Sequence, residues 1–85
     1  MVPIRLTLYS RPECHLCEAM KELAHPVARD LGCTLTEVDI SGDPDLEARY
    51  GSDIPVLLVN GRKAFKYRLT ERELRKRLRA EQGAR

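Results

Sequence analysis

The feature that most narrows the fold is Cys14-His15-Leu16-Cys17, because it falls at a change of hydrophobic period. Upstream, Ile4, Leu6 and Leu8 alternate with Arg5, Thr7 and Tyr9, the period-two pattern of a strand with one well-buried face, and Ser10-Arg11-Pro12-Glu13 breaks it. From Cys14 onward, Leu16, Met20, Leu23, Val27 and Leu31 recur at helical spacing as far as Gly32, which tolerates the left-handed conformation of a helix end. The cysteines therefore open a helix directly after a strand. Pro26 lies inside that helix without an amide hydrogen for the carbonyl four residues earlier, which predicts a kink or break near Ala24-His25.

The remainder reads as short elements. Thr36, Val38 and Ile40 give a second alternating strand. Asp43-Pro44 supplies an N-cap with proline at the first helical position, so a short helix is expected over about Pro44 to Tyr50, ending at Gly51. Val56-Leu57-Leu58-Val59 is an apolar run fitting a strand buried on both faces, and Asn60-Gly61 is a preferred two-residue hairpin turn. Thr70 and Glu73 have capping-box spacing, ahead of a helix with the narrow apolar stripe Leu69, Leu74 and Leu78, packed on the sheet and fraying near Gly83. The order β-α-β-α-β-β-α places the chain in the α/β class. Its first β-α-β unit implies a parallel pair with a right-handed crossover and its hairpin an antiparallel pair, so the sheet is mixed.

A chain of 85 residues is expected to form one domain, residues 1–85. With 42% hydrophobic and 33% charged residues and a net charge of +2, it is in the ordinary globular range. No apolar run approaches the roughly 20 residues of a membrane span, and the N-terminus has no secretory pattern, so the expected location is the cytosol, with no membrane partner. Three cysteines are an odd number for a structural disulfide framework, which points to cysteine chemistry. Arg68, Arg72, Arg75, Lys76, Arg77 and Arg79 crowd the last stretch, interleaved with Glu71, Glu73 and Glu81 and without a base-stacking motif; a solvated helix face is expected, and no nucleic-acid partner.

A disulfide is attacked by thiolate, so a redox cysteine needs surroundings that favour the anion. Cys14 stands at a helix N-terminus, where free amide hydrogens and the positive end of the dipole stabilise negative charge; Arg11, and His15 when protonated, would add to this. Cys17, one helical turn on, stacks near Cys14 but points further inward. Cys14 is then the nucleophile and Cys17 the resolving residue. The same spacing also suits half of a zinc site, for which the other donors are His15, His25 and Cys33. Cys33 is expected to be a small buried hydrophobe, and Tyr9 and Tyr67 either flank the site or pack in the core. Ile54-Pro55 precedes the buried third strand, either as an ordinary trans proline or as a cis-proline that leaves the Ile54 backbone free to pair with an extended substrate.

Over roughly residues 4 to 80 the chain resembles the glutaredoxin-like branch of the thioredoxin superfamily, in which a strand leads into CxxC and an apolar residue with cis-proline begins the third strand, as Ile54-Pro55-Val56 does here. The resemblance implies a thioredoxin-like fold with sheet order 2-1-3-4, thiol-disulfide oxidoreductase activity, an exposed nucleophile at Cys14 and a buried partner at Cys17. Glutaredoxins usually carry Pro-Tyr or Pro-Phe between the cysteines, where this chain has His15-Leu16. Those using glutathione carry Gly-Gly and then Asp before the last helix, where it has Tyr67-Arg68-Leu69-Thr70. Only Arg11 and Ile54-Pro55 carry over as substrate-binding positions, and the chain is most similar to short bacterial glutaredoxin-like proteins. The expectation is a monomeric enzyme without a cofactor, reducing disulfides of proteins or small thiols, with a reductase or thiol pool as electron donor. The alternatives are a non-catalytic binding module and metal or iron–sulfur ligation through the CxxC cysteines.

Overall fold

The structure, a computed structural model, describes residues 3–83. The elements are β1 (Arg5–Ser10), α1 (His15–Leu31), β2 (Thr34–Asp39), α2 (Pro44–Tyr50), β3 (Val56–Val59), β4 (Arg62–Lys66) and α3 (Glu71–Gly83). They form a four-stranded sheet in the order β2-β1-β3-β4, with β1 parallel to β2 and β3 antiparallel to both β1 and β4. The expected order and mixed sheet are both present.

One face of the sheet holds the core. Leu6 and Leu8 of β1 with Leu57 and Val59 of β3 meet Met20, Ala24, Val27 and Ala28 of α1 and Leu74 and Leu78 of α3, all buried. Each buried leucine contributes about 1.5–3 kcal/mol in removing apolar surface from water. The other face carries Thr7, Tyr9, Val56 and Leu58, and α2 crosses it without burying any of its own residues.

Local signals set the ends of most elements. Asp43 Oδ1 accepts from the amides of Asp45 and Leu46, so α2 starts where the Asp-Pro pair predicts. Asn60 and Gly61 both adopt positive φ, 50° and 83°, as the hairpin turn requires. Thr70 and Glu73 form the full reciprocal capping box: the Glu73 amide donates to Thr70 Oγ1 at 3.1 Å and the Thr70 amide to Glu73 Oε1 at 2.9 Å.

Two expectations are corrected. α1 runs unbroken through Pro26 for 17 residues. Pro26 and Glu22 are both on the exposed side, where water can satisfy the Glu22 carbonyl. The second strand begins at Thr34 and ends at Asp39, with Ile40 buried just beyond it. Its core-facing set begins with Leu35, which packs on the cluster, and continues to Glu37, which pairs with Lys21 and His25 of α1; the alternating set Thr36 and Val38 faces away. An edge strand half covered by a helix places a charged residue on its inner face without burying it.

Candidate functional site

β1 delivers the chain to a tight turn in which Glu13 takes the left-handed φ of 56°. Cys14 follows in extended conformation and is the N-cap of α1, one residue before the helix proper. Its Sγ accepts a hydrogen bond from the Cys17 amide at 3.2 Å, the place usually held by a Ser or Asp oxygen. The two cysteines form a disulfide across Cα atoms 5.2 Å apart. Cys14 is half-buried and flanked by Glu13, His15 and Glu18, whereas Cys17 is fully buried.

The Ile54-Pro55 peptide is cis, and Pro55 is buried. Pairing of Tyr9 with Val56 puts Pro55 at the same end of the sheet as the loop carrying the cysteines. The Pro55 carbonyl accepts from the Tyr67 amide at 2.9 Å, which ties the cis-proline segment to the turn after β4. Tyr67 has φ of 68°, and the single hydrogen of its hydroxyl is shared between the Ser52 carbonyl at 3.0 Å and Asp53 Oδ1 at 3.3 Å. Hydrogen bonding from Lys63, above all, holds the Asp53 carboxyl below the usual carboxylate range. A groove of about 290 Å³ runs between Leu16 on α1 and Tyr67, floored by Met20 and Leu69 and edged by Arg68. That is the scale of a subsite for a few side chains, at the small end of ligand pockets.

Of the other residues singled out, Arg11 is engaged by α2, donating to Glu47 at 2.8 Å and to the Gly51 carbonyl at 3.2 Å. Tyr9 stacks on Tyr50 with ring centroids 4.4 Å apart, so of the two tyrosines weighed as flanking the site only Tyr67 lines the groove that Leu16 enters. His25 is bonded to Glu37, and Cys33 packs half-buried on the core, its thiol pushed up by desolvation. Among the described residues no three His, Cys, Asp or Glu side chains come together as a metal-ligand set. Sequence reasoning found the cysteines and the proline but not the Ser52-Asp53 anchor of Tyr67, a contact between segments 14 and 15 residues apart without a local signature.

The model of the glutaredoxin-like domain (DUF836) matches residues 5–79. A glutaredoxin-like protein of Dictyostelium discoideum is 30% identical over 77 residues, covering 84% of this chain and 71% of its own. An uncharacterized protein of Mycobacterium tuberculosis is 28% identical over 76 residues, covering 84% and 78%. Among solved structures, a structural-genomics target from X. campestris superposes with a TM-score of 0.75 at 37% identity, covering 88% of this chain and 96% of that one. A thioredoxin of Halobacterium salinarum superposes with a TM-score of 0.65 at 17% identity, covering 91% and 73%, which shows the fold. With its Cys14–Cys17 disulfide at the head of α1 and its sheet order, the chain belongs to the glutaredoxin-like domain family (DUF836), built on the thioredoxin fold.

Proposed function

We propose that the protein is a thiol-disulfide oxidoreductase working by a dithiol mechanism, with Cys14 as nucleophile and Cys17 as resolving residue. The observation that supports this most is the asymmetry of the pair: Cys14 is accessible and hydrogen-bonded through its sulfur at the helix N-terminus, while Cys17 lies buried beneath it. In the reduced protein the helix end and the Cys17 amide favour the Cys14 thiolate.

The thiolate attacks one sulfur of a substrate disulfide, forming a mixed disulfide and releasing the other half as a thiolate that takes up a proton. Cys17 then gives up its proton and attacks Cys14, which frees the second half and leaves the Cys14–Cys17 disulfide. The substrate gains two electrons and two protons. A reductase or a thiol pool in a reducing compartment such as the cytosol returns them to the protein. Ile54 and Pro55, at the end of the sheet that leads into the cysteine loop, align the substrate backbone in this reading; Arg11 contributes by fixing the loop before Cys14 against α2.

The test is turnover of a small disulfide by wild type, Cys14→Ser and Cys17→Ser, with intact-mass analysis. Cys14→Ser is expected to be inactive, and Cys17→Ser to accumulate a mixed disulfide at Cys14. Equal turnover by wild type and Cys14→Ser would overturn the proposal.

A further inference from the structure

Leu16 and Tyr67, 36% and 41% exposed, are the exposed large apolar side chains among the described residues, and both line one groove. Leu16 sits between the two cysteines in the chain, so the groove begins one residue from the redox pair, while Cys14 itself is flanked by Glu13, His15 and Glu18. Tyr67 is held by its bonds to Ser52, Asp53 and Pro55, so its ring is a fixed wall that costs little side-chain entropy on contact. One edge of the groove is the cationic Arg68.

The helix that begins three residues after Arg68 carries further cations. On α3, Arg75 is paired with Asp30 and Glu71, and Arg77 with Glu81. Arg72, Lys76 and Arg79 are exposed and form no ion pair among the described residues. They recur at i, i+4 and i+7, on the side of the helix opposite the buried Leu74 and Leu78. An apolar groove one residue from the cysteines, with unpaired cations on the helix that follows its Arg68 edge, matches a polypeptide better than a small anionic thiol. These features also match it better than a nucleic acid, since among the described residues α3 carries no aromatic side chain for bases to stack on.

We infer that the substrate is a disulfide on an acidic protein, which seats an apolar side chain next to its cysteine between Leu16 and Tyr67 and lays carboxylates along Arg68, Arg72, Lys76 and Arg79. This rests on the oxidoreductase reading and narrows its substrate class.

The test compares the neutral bis(2-hydroxyethyl) disulfide with three peptide disulfides: one carrying Leu beside Cys and a run of Asp, one with Ser for Leu, and one with Lys for Asp. Wild type is expected to prefer the Leu-Asp peptide in kcat/KM by about tenfold over each of the others. The Asp-over-Lys preference is expected to fade at about 1 M salt, where screening acts within a few ångströms. It should also invert in Arg72→Glu/Lys76→Glu/Arg79→Glu, and Tyr67→Asn, which tolerates positive φ, should lose the Leu-over-Ser preference. Reduction of the hydroxyethyl disulfide with equal use of the three peptides overturns the substrate class and leaves the oxidoreductase standing. Absence of turnover on every disulfide overturns the oxidoreductase. Docking is then read from NMR shifts of Leu16 and Tyr67 on adding the peptides with Ser for Cys to the oxidised protein. Tighter binding of a single-stranded oligonucleotide than of the Leu-Asp peptide overturns the acidic-protein assignment.

Discussion

The backbone N–H of Cys17 donates to the sulfur of Cys14 at 3.2 Å, so the half-buried cysteine caps the helix at the amide of the buried one. When the pair is reduced, the same amide faces a thiolate, a stronger acceptor than a disulfide sulfur.

This arrangement predicts which thiol reacts first. In reduced protein at about pH 6.5, limiting iodoacetamide should label Cys14 and spare Cys33, whose thiol is pushed above its ordinary range by burial. Peptide mapping by mass reads the result. Labelling of Cys33 at the rate of Cys14 would contradict the role given to the helix terminus.

Pro26 gives a second prediction. Proline inside a helix costs about 3 kcal/mol relative to alanine, partly offset because it also restricts the unfolded chain by about 0.4–1 kcal/mol. Pro26→Ala, at an exposed position in an unbroken helix, should raise stability by about 2 kcal/mol. Urea denaturation measures it, and a fall in midpoint would show that the helix geometry depends on the proline.

Thr70→Ala removes one half of the capping box and should cost about 1 kcal/mol. In a domain of this size that lowers the melting temperature by about 4–8 °C. Thr70→Ser, which keeps the hydroxyl, should recover most of the loss.

Glu37 links stability to pH. The hydrogen bond from His25, aided by Lys21, holds its carboxyl below the usual carboxylate range. A depressed carboxylate stabilises the fold fully above its unfolded value and loses that contribution as pH falls through the folded one. The pair is exposed, so the effect is on the order of 0.2–1 kcal/mol. Glu37→Gln should therefore be slightly less stable than wild type at about pH 6 and indistinguishable at about pH 2. A gap that widens on acidification would reverse the sign.

What the sequence revealed and what it did not divide along the range of the interactions. The CxxC helix start, Asp43-Pro44, Asn60-Gly61 and Thr70-x-x-Glu73 are each settled within about four residues, by backbone geometry and nearby hydrogen bonds. The inner face of β2 was hidden because Leu35 and Glu37 take their roles from α1, and period-two alternation fits either face. The course of α1 through Pro26 depended on which side of the helix met solvent. The candidate site was legible in its reactive atoms and illegible in its walls: Tyr67 reaches the groove through Ser52, Asp53 and Pro55, and Arg11 is claimed by Glu47, 36 residues away.

α2 buries none of its seven residues and is tied to the sheet side by the Tyr50 ring stacked on Tyr9 and by Arg11 at its C-terminal end. A segment with so little apolar anchorage opens at low free-energy cost, well before the core lets go. Its amides should exchange with deuterium faster than those of α1 and α3. Each such opening releases the Arg11 guanidinium from Glu47 and Gly51, so the fluctuations of the least anchored helix intermittently free a positive charge in the loop that carries the redox pair.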